Sequence, residues 1–409
     1  MSTEELFSTI GVPRETAPGE RRVALAPVAV PPLTKAGFQV LVETGAGEAA
    51  GFTDSAYESK GARLVGSRAE AFGADVLLQV RVTGTWGDGT EDADLLHPGQ
   101  VVIGMCRPLA APFRMKPLAD LGVTVFALEL MPRITRAQNM DVLSSQAMVA
   151  GYKAVLLAAE AMPKMFPLLT TAAGTIAPAR VLVIGAGVAG LSAIATARRL
   201  GAVVEAYDVR PAVKEEVESL GARFVELPLQ PGDAADASGY AKALGESFYA
   251  RQRELLTKVV AGSDAVITTA LIPGQPAPVL VTSDMVAGMA PGSVVVDLAA
   301  EQGGNCQLTR ADETVHECGV FVMGPTNLPA TVAYHASQMY AKNVSTFLLH
   351  VIKEGRLQLD PSDEVVWGTL VARDGGIVNA RVRAALGEPG AEGLLPTPVA
   401  SDGSKGQVP

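Results

Sequence analysis

Short apolar runs recur along the chain, separated by stretches whose apolar positions fall at helical spacing. Runs at 9–13, 39–43, 63–65, 76–80, 101–104 and 124–127 alternate with helical stretches at 28–36, 54–60, 68–72 and 112–121. A polar segment, 129–146, then leads into a long amphipathic stretch, 147–161, stopped by Pro163. The alternation resumes with strands at 181–184, 202–207, 223–226, 265–268, 294–297 and 320–322, and with helices at 214–220, 240–261 and 283–289. Strand–helix alternation of this kind predicts an α/β fold with parallel, doubly wound sheets. A second long helix, 331–352, leads back toward the first unit, where 367–380 adds a last strand pair. The expected molecule therefore has two doubly wound, Rossmann-like domains joined by long helices, with a cleft between them suited to hinged closure. The first domain takes 1–140 plus 335–385. The second takes 141–334, with a six-stranded open sheet, and 386–409 reads as a disordered tail.

One stretch carries a chemical signature. The run Val181-Leu182-Val183-Ile184 turns through Gly185-Ala186-Gly187-Val188-Ala189-Gly190 and continues as an alanine-rich helix ending at Arg198-Arg199-Leu200-Gly201. The next strand finishes at Asp208. Strand, glycine turn, helix, strand and acid form the dinucleotide fingerprint: Gly185 for the tight turn, Gly187 for approach of a pyrophosphate, Gly190 for close helix–strand packing. The helix start offers free N–H groups and about half a positive charge to the phosphates. Asp208 is placed to accept bonds from a ribose and to repel a 2′-phosphate, which favours NAD(H). Arg210 pulls the other way, because an arginine there can accommodate that phosphate. The Gly45-Ala46-Gly47-Glu48 turn of the first unit has an acid where a phosphate would sit. In open α/β sheets the ligand-contacting loops follow the carboxyl ends of strands, which places Ala270-Leu271, the segment after Asp297, and Thr326-Asn327 at the cleft.

The totals narrow the function classes. A formal charge of −10 argues against non-specific nucleic-acid binding and against docking on anionic lipid. Cys106, Cys306 and Cys318 have no disulfide or metal-ligand spacing, and the four histidines form no cluster, so no metal is expected. The N-terminus is acidic without an apolar core, unlike a signal peptide. The most hydrophobic window, 181–197, is the glycine-bearing fingerprint rather than a membrane span.

Two segments stay open on spacing alone. The polar stretch MPRITRAQNMDVLSSQ from Met131 is either a solvated linker or a site; if helical from Gln138, it puts Gln138, Asp141 and Ser144 or Ser145 on one face. The segment 228–239 is a plain surface loop or a mobile lid carrying Tyr240 at its end.

These stretches resemble the NAD(H)-binding domain I, or separate α1 subunit, of the proton-translocating nicotinamide nucleotide transhydrogenases, over about residues 11–379. The linker with Gly151-Tyr152 carries most of the likeness, supported by the fingerprint, ALIPGQPAPVLVT and DLAAEQGGNC. The resemblance implies that Arg133, Gln138, Asp141 and Ser144 gather around the nicotinamide, with Tyr152 nearby. Arg133 would orient the carboxamide and Asp141 would hold Arg133 by an ion pair. Val188, Asp208, Val209, Arg210, Gly239, Ala270, Leu271 and Asn327 would hold the rest of the cofactor, and Tyr240 matches the mobile-loop tyrosine. It further implies NADP(H) on a partner β-type subunit, membrane-spanning subunits that move protons, a homodimer, and a place on the cytoplasmic face of the membrane. Alanine dehydrogenase is the sister family, and a non-catalytic NAD sensor is a further alternative. The dehydrogenase uses a lysine and a histidine where this chain has Gln79 and the Cys106-Arg107 pair; its substrate-binding arginine is matched by Arg22. Transhydrogenases also often carry a lysine at the position of Gln79.

Overall fold

The computed structural model describes residues 6–86, 92–227, 246–272 and 275–388. Gly239 and Tyr240, with the loop that carries them, the turn at Pro273-Gly274 and nearly all of the expected tail lie outside the described residues.

The first sheet begins with six parallel strands, β1 (Thr9–Val12), β2 (Gln39–Glu43), β3 (Arg63–Val65), β4 (Val76–Arg81), β5 (Val101–Met105) and β6 (Thr124–Ala127). β1 pairs with both β2 and β4, so the order runs β3-β2-β1-β4-β5-β6 and the winding reverses between β1 and β4. β5 and β6 are buried along their whole length, as expected of central parallel strands covered on both faces. The expected helix at 28–36 is a 3-10 turn, Pro27–Ala29, running into Val30–Lys35.

A small antiparallel hairpin, β7 (Leu169–Thr171) and β8 (Gly174–Ile176), precedes the second sheet. That sheet contains β9 (Arg180–Ile184), β10 (Val203–Tyr207), β11 (Arg223–Phe224), β12 (Ala265–Thr268), β13 (Val294–Asp297), β14 (Thr314–Glu317) and β15 (Val320–Met323). Its order is β11-β10-β9-β12-β13-β15-β14, with the topological switch between β9 and β12. The sheet therefore has seven strands rather than six. β14 is an antiparallel edge strand of sequence Thr-Val-His-Glu with three exposed positions, which no apolar run announces.

Two long helices connect the sheets. The linker helix spans Val142–Ala161, beginning before the expected Ala147. The return helix spans Ala333–Val351, separated from a short helix, Leu328–Thr331, by a break at Val332. The linker helix packs Ala154, Val155 and Ala158 into the second core, and the return helix packs Tyr340, Phe347 and Leu348 into the first. After a two-strand hairpin, β16 (Ile352–Lys353) and β17 (Arg356–Leu357), the chain adds β18 (Leu370–Arg373) and β19 (Gly376–Ile377). β18 pairs antiparallel with β6, so the first sheet is closed by the last part of the fold. Among the described residues, the linker helix alone is long and apolar enough to cross a membrane. Its residues are nonetheless shared between the two cores of this fold.

Candidate functional site

The glycine turn is built by contacts that exclude side chains. Gly185 has φ +98, and its amide donates to the Tyr207 carbonyl at 2.8 Å, pinning the turn to β10. A Cβ on Gly190 would sit 1.8 Å from the Gly185 carbonyl oxygen, so only glycine lets the helix Val188–Arg199 start this close to β9. A Cβ on Gly187 would meet nothing within 4 Å, which leaves room above the helix start for a phosphate. Val188, the first helical residue, is exposed there.

Asp208 serves the turn as well as a ligand. Its Oδ2 accepts from the Ala186 amide at 2.7 Å, and Arg210 closes on it with bonds from N and Nε to Oδ1 (both 2.9 Å) and from Nη2 to Oδ2 (2.8 Å). The competition expected between Asp208 and Arg210 is thus an ion pair: the guanidinium is folded onto the carboxylate. Beside this pair opens a cavity lined by Tyr207, Asp208, Val209, Pro211, Phe224 and Phe248 among others, with Lys214 and Glu226 ion-paired on its wall. Aromatic and aliphatic walls with a few polar groups suit a flat base.

Across the switch point, Ala270 lies against the turn, its amide nitrogen 3.2 Å from where a Cβ on Gly185 would stand. The Ala270 peptide is braced by Asn305, whose Oδ1 accepts from Ala270 N at 2.9 Å and whose Nδ2 donates to Ala270 O at 2.8 Å. Sequence reasoning gave Asn305 no role; the only signal was its place in the Gly-Gly-Asn-Cys turn. Asp297 is wholly buried and accepts from Thr268 and Thr309 hydroxyls and from the Ala299 and Cys306 amides. It supports the loops at the strand ends, and Leu271 follows them half-buried.

The linker differs from a continuous helix. Residues Thr135–Met140 form a 3-10 segment, the chain turns at Asp141 (φ −77, ψ 96), and the α-helix starts at Val142. Both oxygens of Asp141 are engaged by Ser144, from its amide at 3.0 Å and its hydroxyl at 2.6 Å. Asp141 is thus the helix cap, and the carboxylate expected to serve Arg133 is bonded to Ser144. Arg133 and Gln138 are exposed on the preceding segment, which is tied down by Arg136 to Asp363 (3.3 Å) and by Asn343 Nδ2 to the Asn139 carbonyl (2.8 Å). The linker helix meets the fingerprint helix closely. A Cβ on Gly151 would lie 2.0 Å from the Ala189 carbonyl oxygen, and the Ser192 hydroxyl donates to the Met148 carbonyl at 2.7 Å. This crossing brings exposed Tyr152 beside the first turn of the fingerprint helix.

A buried polar cluster that the sequence reading did not foresee joins the two sheets. Arg22 bonds to Glu20, Gln146 and Asn327. Asn327, expected to touch cofactor, instead gives its amide to Arg22 and Glu20. Burial opposes ionisation of Glu20, but the hydrogen bonds and charge of Arg22, helped by Arg81, outweigh it and hold the carboxyl at about 2. Glu15 and Glu129 are driven the other way by burial, to about 8 and about 7. Glu129 Oε1 accepts the Cys106 and Arg107 amides (2.7 and 2.6 Å), while its Oε2 has no hydrogen-bond partner among the described residues. Gln79 is buried and accepts from the Thr83 amide at 3.1 Å, closing its own turn, and Cys106 is wholly buried with its thiol pushed well up by burial. Neither offers an acid or base to the cleft.

Similarities to known proteins agree with this geometry. Residues 11–150 match the alanine dehydrogenase/PNT N-terminal domain, and residues 154–380 match the alanine dehydrogenase/PNT C-terminal domain. The chain is 49% identical over 376 residues to the first of the separately encoded pieces of the NAD(P) transhydrogenase alpha subunit of Rhodospirillum rubrum, covering 90% of this chain and 97% of that one. Among solved structures it is similar to transhydrogenase from Sinorhizobium meliloti (TM-score 0.80, 44% identity, 90% of this chain and 100% of that one). It is also similar to an L-alanine dehydrogenase (TM-score 0.77, 25% identity, 93% and 99%).

Proposed function

The chain belongs to the alanine dehydrogenase/PNT family, and from that premise we propose that it is the NAD(H)-binding component of a proton-translocating NAD(P) transhydrogenase. The observation that carries this reading is the pairing of a complete dinucleotide turn with a cleft that has no proton-transfer group at Gln79 or Cys106. Hydride passing directly between two nicotinamide rings leaves no proton to deliver or remove, whereas oxidation of an amino acid needs a base.

In this reading the open space at Gly187 and the helix start take the pyrophosphate, Asp208 takes the ribose hydroxyls, and the cavity beside Phe224 and Phe248 takes the base. Arg133, Gln138 and the Ser144 hydroxyl hold the carboxamide end, with Asp141 fixing Ser144. Leu271 and Tyr152 wall the cleft, and Gly239 and Tyr240 belong to the segment that closes it. The residues of the cleft supply geometry: rings held within about 3–3.5 Å and water kept out, which lowers a barrier by about 7–11 kcal/mol. NADP(H) is carried by a partner β-type subunit, and membrane-spanning subunits couple transfer to proton movement. The chain works as a homodimer at the cytoplasmic face of the membrane, held there by those partners. Its first domain takes 1–140 with 335–385 and its second takes 141–334.

The test uses the purified protein, NADPH and an oxidised NAD analogue of distinguishable absorbance. Transfer should appear only when a transhydrogenase NADP(H)-binding domain is added. NADH binding without transfer, accompanied by NAD-dependent oxidation of an amino acid, would replace this reading with the dehydrogenase one.

A further inference from the structure

One guanidinium ties together every segment that borders the cleft. Arg22, Glu20 and Gln146 are all nearly or wholly buried. Glu20 takes Arg22 Nε at 2.8 Å and Nη2 at 2.7 Å in a two-pronged pair. The remaining hydrogens reach outward: Nη1 donates to Gln146 Oε1 on the linker helix at 2.8 Å, and Nη2 donates to Asn327 Oδ1 at 3.2 Å. Asn327 lies past β15, at the carboxyl edge of the second sheet, and its Nδ2 returns a bond to Glu20 Oε2 at 3.2 Å. Gln146 continues to the Ala336 carbonyl at 3.1 Å, and the Val23 amide donates to Ser337 Oγ at 3.0 Å, both on the return helix. Nearby, Arg81 adds an ion pair to Glu20 (3.0 Å) and lies over Trp86. Arg107 reaches from the first sheet to Glu301 of the second at 3.6 Å.

We propose that Glu20 and Arg22 are positioning residues for hydride transfer, fixing the spacing of the two sheets at the end of the cleft where the linker cap lies. A buried ion pair is weak evidence for stability, because apolar residues of equal volume often hold a core as well. What the charged ring adds is direction. The planar fork admits one arrangement of Glu20, Gln146 and Asn327, and so one placement of the linker helix, with Asp141 and Ser144 at its start, relative to the strand ends of the second sheet. Reacting atoms that must meet within about 3.5 Å make the rate steeply sensitive to such placement, while the adenine and phosphate contacts, all on the second sheet, are not.

The inference rests on the transhydrogenase reading for its rate measurement, and a second readout is independent of it. In the complex with the NADP(H)-binding domain, Arg22→Lys should slow transfer by about thirtyfold or more, while the Kd for NADH stays within about threefold. Equal loss of both, or no loss of rate, overturns the proposal. Should Arg22→Lys fail to fold, the linker side keeps it testable: Gln146→Leu should lose rate, and Gln146→Glu, which retains the acceptor for Nη1, should restore most of it. Equal rates in those two variants overturn it. Independently of any activity, spin labels on exposed Cys318 of the second sheet and on Lys116→Cys of the first report the spacing directly. A distance distribution that broadens in Arg22→Lys supports the clamp; an unchanged one overturns it. A wild-type protein with a narrow distribution but no transfer would remove the transhydrogenase reading and leave the clamp standing.

Discussion

Glu129 shows how far a single side chain can depart from its ordinary chemistry. Its carboxyl is raised from 4.5 to about 7, first by burial, although the Arg107 and Cys106 amides pull it down. An acid raised in the folded state gives its full stability below the unfolded value, and that stability is lost as pH rises through the folded value. Wild-type stability should therefore fall between about pH 4.5 and 7, by a total on the order of 3 kcal/mol for this group. Glu129→Gln keeps an oxygen for the two amides and removes the titration. Urea unfolding at pH 5, 6, 7 and 8 should show the variant gaining on wild type up to pH 7, with no further change above; parallel curves would refute the assignment. Glu15, raised to about 8, contributes with the same sign in both proteins. At the other end of the chemistry, Arg133→Ala should slow transfer severely while NADH affinity falls only modestly, measured by single-turnover transfer and NADH titration. Unchanged transfer would free Arg133 from its role. Residues acting within one strand–turn–helix unit, such as Gly185, Gly190 and Asp208, were legible because spacing alone brings them together. The bonds of Arg22 to Gln146 and Asn327 span 124 and 305 positions, and nothing local announces them.

Elements are placed by where they touch rather than by propensity. The linker helix crosses the fingerprint helix at Gly151, where a Cβ would fall 2.0 Å from a backbone oxygen that cannot rotate away. Gly151→Val must push the two helices apart, at a cost of about 1–3 kcal/mol or more. Because the contact is at Ala189, in the first turn over the phosphate site, NADH affinity should drop together with the melting temperature. A lowered melting temperature with unchanged affinity would mean that the crossing does not position the turn. The strand–helix alternation was readable because buried parallel strands are continuous apolar runs. The break at Asp141 was not, because a cap is recognised by the bond from Ser144, and the sequence there also fits a continuing helix. β14 escaped for a related reason: an edge strand needs a single neighbour and little burial, so its pattern is that of a loop.

The whole molecule is closed by its last strands. β18 covers the edge of β6, and Val365, Val366, Leu370, Val371 and Val382 are essentially without exposure. Burying such a side chain is worth about 1.5–3 kcal/mol, so the five together approach the net stability of a domain, about 5–15 kcal/mol. A chain ended at Asp363 keeps the Asp363 contacts to His350 and Arg136 but loses all five. Its first sheet, with β6 uncovered, should melt or aggregate well below the wild-type temperature. The glycine turn, Asp208 and the base cavity belong to the other sheet and remain. NADH at about a hundredfold over its Kd stabilises whatever binds it by about 2.7 kcal/mol. In the intact protein, where Arg22, Gln146 and Asn327 couple the sheets, calorimetry should show one transition that NADH raises as a whole. In the shortened chain it should show two, of which NADH raises only the upper. A shortened chain that melts in one step at the wild-type temperature would mean that the C-terminal strands decorate the first sheet rather than complete it.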